Sequence, residues 1–220
     1  RQGRDIQGDL PGILPSRDWK RAARNESWYL GETVISGIGQ GFWVTTPLQL
    51  AAATTATARR GNFIEPHFSV LEDVDAGAPV PLGTSMDWER MIDAMEGVLH
   101  GETGTARGAA RGLNYRIAGK TGTAQVVSIG QEEQYDADEI EERFRDHALF
   151  VGFAPADAPR IVVALIIENG GSGGSTAAPA ARKVFDYWLL DRNGGASPPD
   201  FDYIATINQR VLEPKHADSN

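Results

Sequence analysis

The sequence predicts an α+β fold, an antiparallel sheet flanked by helices. Three observations carry that expectation. "HALFVGFAP" (147–155) and "RIVVALIIEN" (160–169) are apolar runs separated only by "ADAP", the pattern of a hairpin. "YRIAGKTGTAQVVSI" (115–129) reads as a further strand. Trp88, Met91, Ile92, Met95 and Leu99 recur at helical spacing, and so do Ala181, Val184, Phe185, Trp188 and Leu189.

The other elements follow in chain order. Residues 1–15 are punctuated by glycine and proline and read as loop. Ser16 is placed to cap a short helix through "RDWKRAARNES". "GETVISGIGQGFWVTT" (31–46) carries too many glycines for a helix and reads as an ordered loop. Thr46-Pro47 is a helix start, a hydroxyl cap followed by proline at the first position. "LQLAAATTATARR" continues that helix, its small residues predict an interior position, and Gly61 stops it. "NFIEPHFSVLEDV" (62–74) is extended and broken by proline. Thr84 with Asp87 forms a capping box for the helix of Trp88 and Leu99. "HGETGTARGAARG" (100–112) is a glycine-rich loop, and "YDADEIEERFRD" (135–146) a short acidic helix with a solvated face. "RIVVALIIEN" is apolar almost throughout, which predicts a central strand covered on both faces. "NGGSGGS" (169–175) is a loop, "TAAPAARKVFDYWLLD" (176–191) the closing helix, and 194–220 a flexible tail.

Composition narrows the function. A hydrophobic share of 41% against 23% charged residues is enough to build a core. The net charge of −9 argues against nucleic acid, which needs a basic face, and no polybasic patch offers itself to anionic lipid. The absence of cysteine excludes disulfides and thiolate metal sites, and fits the cytosol and a bacterial periplasm equally. No apolar run reaches the roughly 18 residues of a membrane span, and no signal peptide is expected within this stretch. The opening "RQGRDIQGDL" lacks a start methionine, so a piece of a longer chain is expected. His67, His100, His147 and His216 show no metal-ligand spacing and "YDADEIEERF" lacks the glycine of a calcium loop, so no metal or cofactor is expected.

"AGKTGTAQVV" (118–127) is the stretch that carries chemistry. Gly119-Lys120-Thr121 matches the end of a phosphate-binding P-loop, but that loop needs glycine where Asn114 stands and a helix after the Lys-Thr pair. As a strand, it sets Thr121 and Thr123 on one face and Lys120 and Gly122 on the other. Two hydroxyls about 7 Å apart along a strand can grip a small anion, most naturally a carboxylate. Lys120 adds positive charge nearby, and Gly122 leaves the backbone open to close approach. On an edge strand the free backbone groups could pair with an extended peptide, and the Thr123 N–H could face a developing oxyanion. A lysine and some threonines on an exposed strand also arise by chance, so the surrounding segments must lift the signal.

They do. Lys-Thr-Gly on a strand resembles the third motif of penicillin-binding proteins and class A β-lactamases. "WKRAARNESWYLGET", "GIGQGFWVTTPLQLA", "GETGTARGAA", "RDHALFVGFAP" and "VVALIIENGG" are similar to segments of class B penicillin-binding proteins, above all their elongation-specific D,D-transpeptidases. The resemblance runs from Gly12 to Asp191. It implies a penicillin-recognising, β-lactamase/transpeptidase-like fold, of which 1–193 would be an incomplete C-terminal portion lacking two strands of a five-stranded sheet.

By that resemblance Lys120 would hold positive potential in the cleft, and Thr121 and Thr123 would bind the terminal carboxylate of a stem peptide or β-lactam. Gly122 would keep the cleft wall flat, the Thr123 N–H would be one oxyanion donor, and His147, opening the next strand, is read as structural. The S-x-x-K nucleophile motif is absent, since "SRDWK" has one residue too many, and no Ser-x-Asn or Ser-x-Asp triplet is suitably placed before the strand. The implied activity is serine acyl transfer from D-Ala–D-Ala, with this chain alone inactive and no cofactor. The implied partners are peptidoglycan stem peptides, β-lactam antibiotics, a lipid-linked glycan polymerase and the cell-elongation complex. The implied location is the periplasmic face of the inner membrane, through an N-terminal anchor outside this chain. A β-lactamase-like hydrolase and a non-catalytic peptide-binding module on the same fold are the alternatives.

Overall fold

The computed structural model of the chain describes residues 8, 10–68, 78–80, 83–126 and 141–190. Helix α1 (Arg17–Arg24) opens on Ser16, whose hydroxyl accepts the Trp19 N–H at 3.1 Å. It closes at Asn25 in the left-handed region, φ 55°. Its Lys20 is only 2% exposed and pairs with Glu32, with its ammonium 4.7 Å from the centre of the Tyr29 ring. The segment expected to be loop throughout is not. Residues Leu30–Gly37 form helix α2, because the Glu32 carboxylate accepts the Tyr29 N–H at 2.7 Å and so caps the first turn. The expectation of loop holds beyond it, where Gly39 and Gly41 take φ of +74° and +82°. Before α1, Ile13 bridges to Val44, a paired contact where only loop was expected.

Helix α3 (Pro47–Ala58) starts as the sequence indicates. The Thr46 hydroxyl accepts the Gln49 N–H at 3.1 Å, and the Gln49 side chain accepts the Thr46 N–H at 3.0 Å. Ala52, Thr54, Ala56 and Ala58 are buried but Ala53 is exposed, so α3 is interior on one side only. Helix α4 (Ser85–His100) carries the predicted capping box, with the Thr84 N–H donating to Asp87 at 2.7 Å. Trp88, Ile92 and Leu99 are buried and Met95 packs against the cluster of Ile92, Phe153 and Ala118, whereas Met91 sits at the edge of the apolar arc and is 43% exposed. The loop after α4 contains one tight helical turn, Arg107–Ala110.

Three strands make one antiparallel sheet in the order β1-β2-β3: β1 (Ala118–Ala124), β2 (His147–Ala154) and β3 (Ile161–Ile167). Thr121 lies opposite Phe150, and Phe150 opposite Leu165. The β2–β3 hairpin is as expected, and among the described residues β2 is the middle strand. Among the described residues β3 borders the sheet, and its Ile166 is 42% exposed. Both faces of β3 are nonetheless covered, as the apolar run predicts: Val163 packs with α5 residues and Val162 with Ala58 of α3.

Helix α5 (Ala178–Leu189) follows a wide helical turn, Gly173–Ala177, where a loop was expected. It lays Ala181, Phe185 and Leu189 on the sheet face that carries Ala148 and Phe150. Phe153 points to the other face and packs with Ala58, Ile92 and Ala118. Each fully buried large side chain of this kind stabilises the fold by roughly 1.5–3 kcal/mol. Val184, placed by its spacing on the buried side of α5, is 44% exposed, again at the arc's edge. The acidic helix expected over 135–146 falls largely outside the described residues, which show only a short turn at Glu142–Phe144. The tail expected over 194–220 and residues 69–74 of the extended segment also lie outside them.

Candidate active site

Among the described residues strand β1 has β2 on one side only, and its other border opens into a cleft of about 750 Å³. One wall of the cleft is β1 itself, from Lys120 to Ala124, with Gln125 beyond it. The facing wall comes from Ile38, Gly39, Gln40, Gly41 and Trp43, with Thr45 and Leu50 behind them, and Thr105 and Ser172–Gly174 close the end. All four residues singled out from the sequence, Lys120, Thr121, Gly122 and Thr123, therefore line one cavity. Lys120 is the only charged residue among its described lining residues, in a chain whose net charge is −9. The cleft is a positive spot in an acidic molecule.

The backbone of β1 is oriented to serve that cleft. The Lys120 ammonium donates to the Thr121 carbonyl at 2.6 Å, so that carbonyl points off the border of the sheet. Backbone groups alternate along a strand, which turns the N–H and C=O of Thr123 the same way. Lys120 thus folds along the border, where alternation alone had placed it on the far face. It is Gly173 that must be glycine for the turn to lie against this strand: a Cβ on it would lie 2.4 Å from the Gly122 carbonyl oxygen and 2.6 Å from that of Leu149, whereas a Cβ on Gly122 would meet only the Leu149 Cβ, at 3.3 Å.

Two supports hold the strand and its neighbouring loop. His100, at the end of α4, accepts the Ile117 N–H through Nε2 at 3.0 Å, just before β1. Burial lowers its pKa below the usual histidine value, with the Arg116 charge adding to the effect. Arg182 of α5 donates to the carbonyls of Ala109 at 3.0 Å and Arg111 at 2.6 Å, and its Nε reaches Asp186 at 3.1 Å. The Tyr115 hydroxyl donates to the other Asp186 oxygen at 2.7 Å. Burial, then the Asp186 carboxylate, pushes the Tyr115 phenol well above its usual range. His147 has a partner of its own: its Nδ1 accepts the Asn169 N–H at 2.9 Å.

Some cleft residues escaped the sequence reading. Thr105 carries a hydroxyl 3.0 Å from that of Thr121. Its "GETGTA" segment stood out as a motif, but spacing alone cannot bring a loop 16 residues upstream against β1. The wall residues Ile38 and Trp43 carry no catalytic signature, and only the glycines around them signalled an irregular backbone.

An α+β sheet bordered by a Lys-Thr-Gly strand and an open cleft defines a class, and the comparisons agree with it. The chain belongs to the penicillin binding protein transpeptidase domain family, whose profile matches residues 6–186. The peptidoglycan D,D-transpeptidase MrdA of Acinetobacter baumannii is 46% identical over 201 residues, covering 86% of this chain and 29% of that protein. Among solved structures, Pseudomonas aeruginosa PBP2 in complex with WCK 5153 is 41% identical with a TM-score of 0.78, over 92% of this chain and 43% of that one. The complex of PBP2 and MreC from Helicobacter pylori matches at 30% identity and a TM-score of 0.69, over 83% of this chain and 32% of that one. The chain spans about a third of the length of the curated relatives it matches, and its resemblance to this group of D,D-transpeptidases is borne out by relatives named MrdA and PBP2.

Proposed function

We propose that this chain is the C-terminal, strand-bearing part of a peptidoglycan D,D-transpeptidase that cross-links stem peptides during cell elongation. The carrying observation is the open border of β1, where Lys120 and the Thr121 and Thr123 hydroxyls line a cleft with no other charged lining residue described. Residues 1–193 belong to the transpeptidase domain in this reading, and 194–220 form a tail.

The reaction is serine acyl transfer. The D-Ala–D-Ala carboxylate docks on Thr121 and Thr123, with Lys120 supplying the attractive field. That places the scissile carbonyl beside the Thr123 N–H, which stabilises the tetrahedral oxyanion, an effect usually worth about 10²–10³ in rate. A serine from another part of the full-length protein forms the new C–O bond. The C–N bond to the terminal D-Ala breaks, that amine leaves with a proton, and an amine of a neighbouring stem then takes the acyl group. A β-lactam follows the first half and stays bound as the acyl-enzyme.

The names of the relatives support elongation and the periplasmic face of the inner membrane as the setting. The Helicobacter pylori complex with MreC supports a partner from the elongation machinery. A lipid-linked glycan polymerase is the other partner of this reading. Exposure of the full-length protein to benzylpenicillin tests it. One drug mass should add covalently to a serine outside this segment, while the segment alone should add none. No adduct on a folded full-length protein, or an adduct on residues 1–220, would overturn it. Rapid turnover of penicillin with no lasting adduct would favour a hydrolase instead.

A further inference from the structure

We propose that Thr105 is a positioning residue for carboxylate recognition: its hydroxyl donates to Thr121 and so aims the Thr121 proton at the ligand. The inference rests on the carboxylate-binding role proposed for the cleft.

The two hydroxyl oxygens lie 3.0 Å apart and both residues line the cleft. With the cleft empty, either can be the donor. A bound carboxylate removes that freedom, because it only accepts. The single Thr121 proton must then go to the ligand, and the hydrogen bond to Thr105 survives only if Thr105 donates. The resulting chain, Thr105 to Thr121 to carboxylate, runs in one direction, and each bond polarises the next. A lone Thr121 would have a freely turning hydroxyl that must be ordered on binding.

The placement of Thr105 is fixed on several sides. A Cβ on Gly174 would lie 2.3 Å from the Thr105 carbonyl oxygen, so only glycine lets that turn close over the residue. The next residue, Ala106, donates its N–H to the Val98 carbonyl of α4 at 2.9 Å. Further along the same loop, Arg182 holds the carbonyls of Ala109 and Arg111. A backbone tied to α4 and α5 presents the hydroxyl to Thr121 as a fixed donor.

The test uses the full-length protein, benzylpenicillin and its methyl ester, which lacks the anionic carboxylate. Acylation rates are read from the covalent adduct. Wild type should prefer the acid. Thr105→Val should slow acylation by the acid by up to about tenfold, the loss of one neutral hydrogen bond, and change acylation by the ester less than about twofold. Thr105→Ser should restore the wild-type preference. Equal loss on both ligands, or full preference retained in Thr105→Val, would overturn the role of Thr105 alone. A wild type that does not distinguish acid from ester would overturn the carboxylate reading of the whole cleft.

Discussion

The imidazole of His100 accepts the backbone N–H of Ile117 at 3.0 Å, which ties the end of α4 to the residue before β1. The acceptor must be the neutral ring. Burial first, and the Arg116 charge second, hold its pKa below the ordinary value of about 6.5, while Glu96 acts in the opposite sense.

A histidine lowered in this way favours the fold while neutral. Its contribution is fully present above about pH 6.5 and is lost as pH falls through that value toward the folded pKa. His100→Gln keeps an acceptor and removes the titration. The melting temperature of the wild type should fall more between about pH 7.5 and 5.5 than that of His100→Gln. Parallel pH profiles would count against this link.

Gly173 and Gly108 make a matched pair. Gly173→Ala drives a methyl group to 2.4 Å from the Gly122 carbonyl oxygen, whereas nothing lies within 4 Å of a Cβ on Gly108. The first should destabilise the protein by about 1–3 kcal/mol and the second should be nearly neutral. Denaturant unfolding of the two variants side by side checks the contrast.

Lys120 is the sole charged residue described in the cleft lining, so its removal should be felt by an anionic ligand. Lys120→Ala should slow acylation of the full-length protein by benzylpenicillin at least about tenfold, in line with charge-assisted contacts. Its melting temperature should barely change, because the side chain is exposed. Stopped-flow acylation measures the first and thermal unfolding the second.

Arg182 should behave differently. Its guanidinium spans Ala109, Arg111 and Asp186, and a lysine cannot reproduce that fork. Arg182→Ala should cost about 1–3 kcal/mol, and Arg182→Lys should recover only part of it. Unfolding midpoints of the three proteins decide the matter.

Much of this was legible in the residues. The capping pairs Thr46–Gln49 and Thr84–Asp87 act within one turn, so local chemistry reveals them. The hairpin of β2 and β3 is local too. Thr121 and Thr123 were legible because a strand of period two fixes their common face without reference to the rest of the fold, whereas the path of the Lys120 side chain along the border was not. The errors came where distant residues decide. Helix α2 survives its glycines because Glu32 caps it and pairs with Lys20, 12 residues earlier in the chain. Thr105 enters the cleft only because α4, α5 and the Gly173–Gly174 turn carry it there, which no sequence period encodes.

The two walls of the cleft are anchored separately. The β1 wall is fastened into the sheet. The facing wall hangs from a short aromatic knot in which the Lys20 ammonium lies 5.7 Å from the centre of the Phe42 ring and the Trp19 ring 5.4 Å from it. Phe42 sits directly between the wall residues Gly41 and Trp43. The position of that wall is therefore set by residues outside the cleft lining. Exchanges at Lys20, Glu32 or Phe42 should shift the Gly41–Trp43 side of the slot without removing any group of β1.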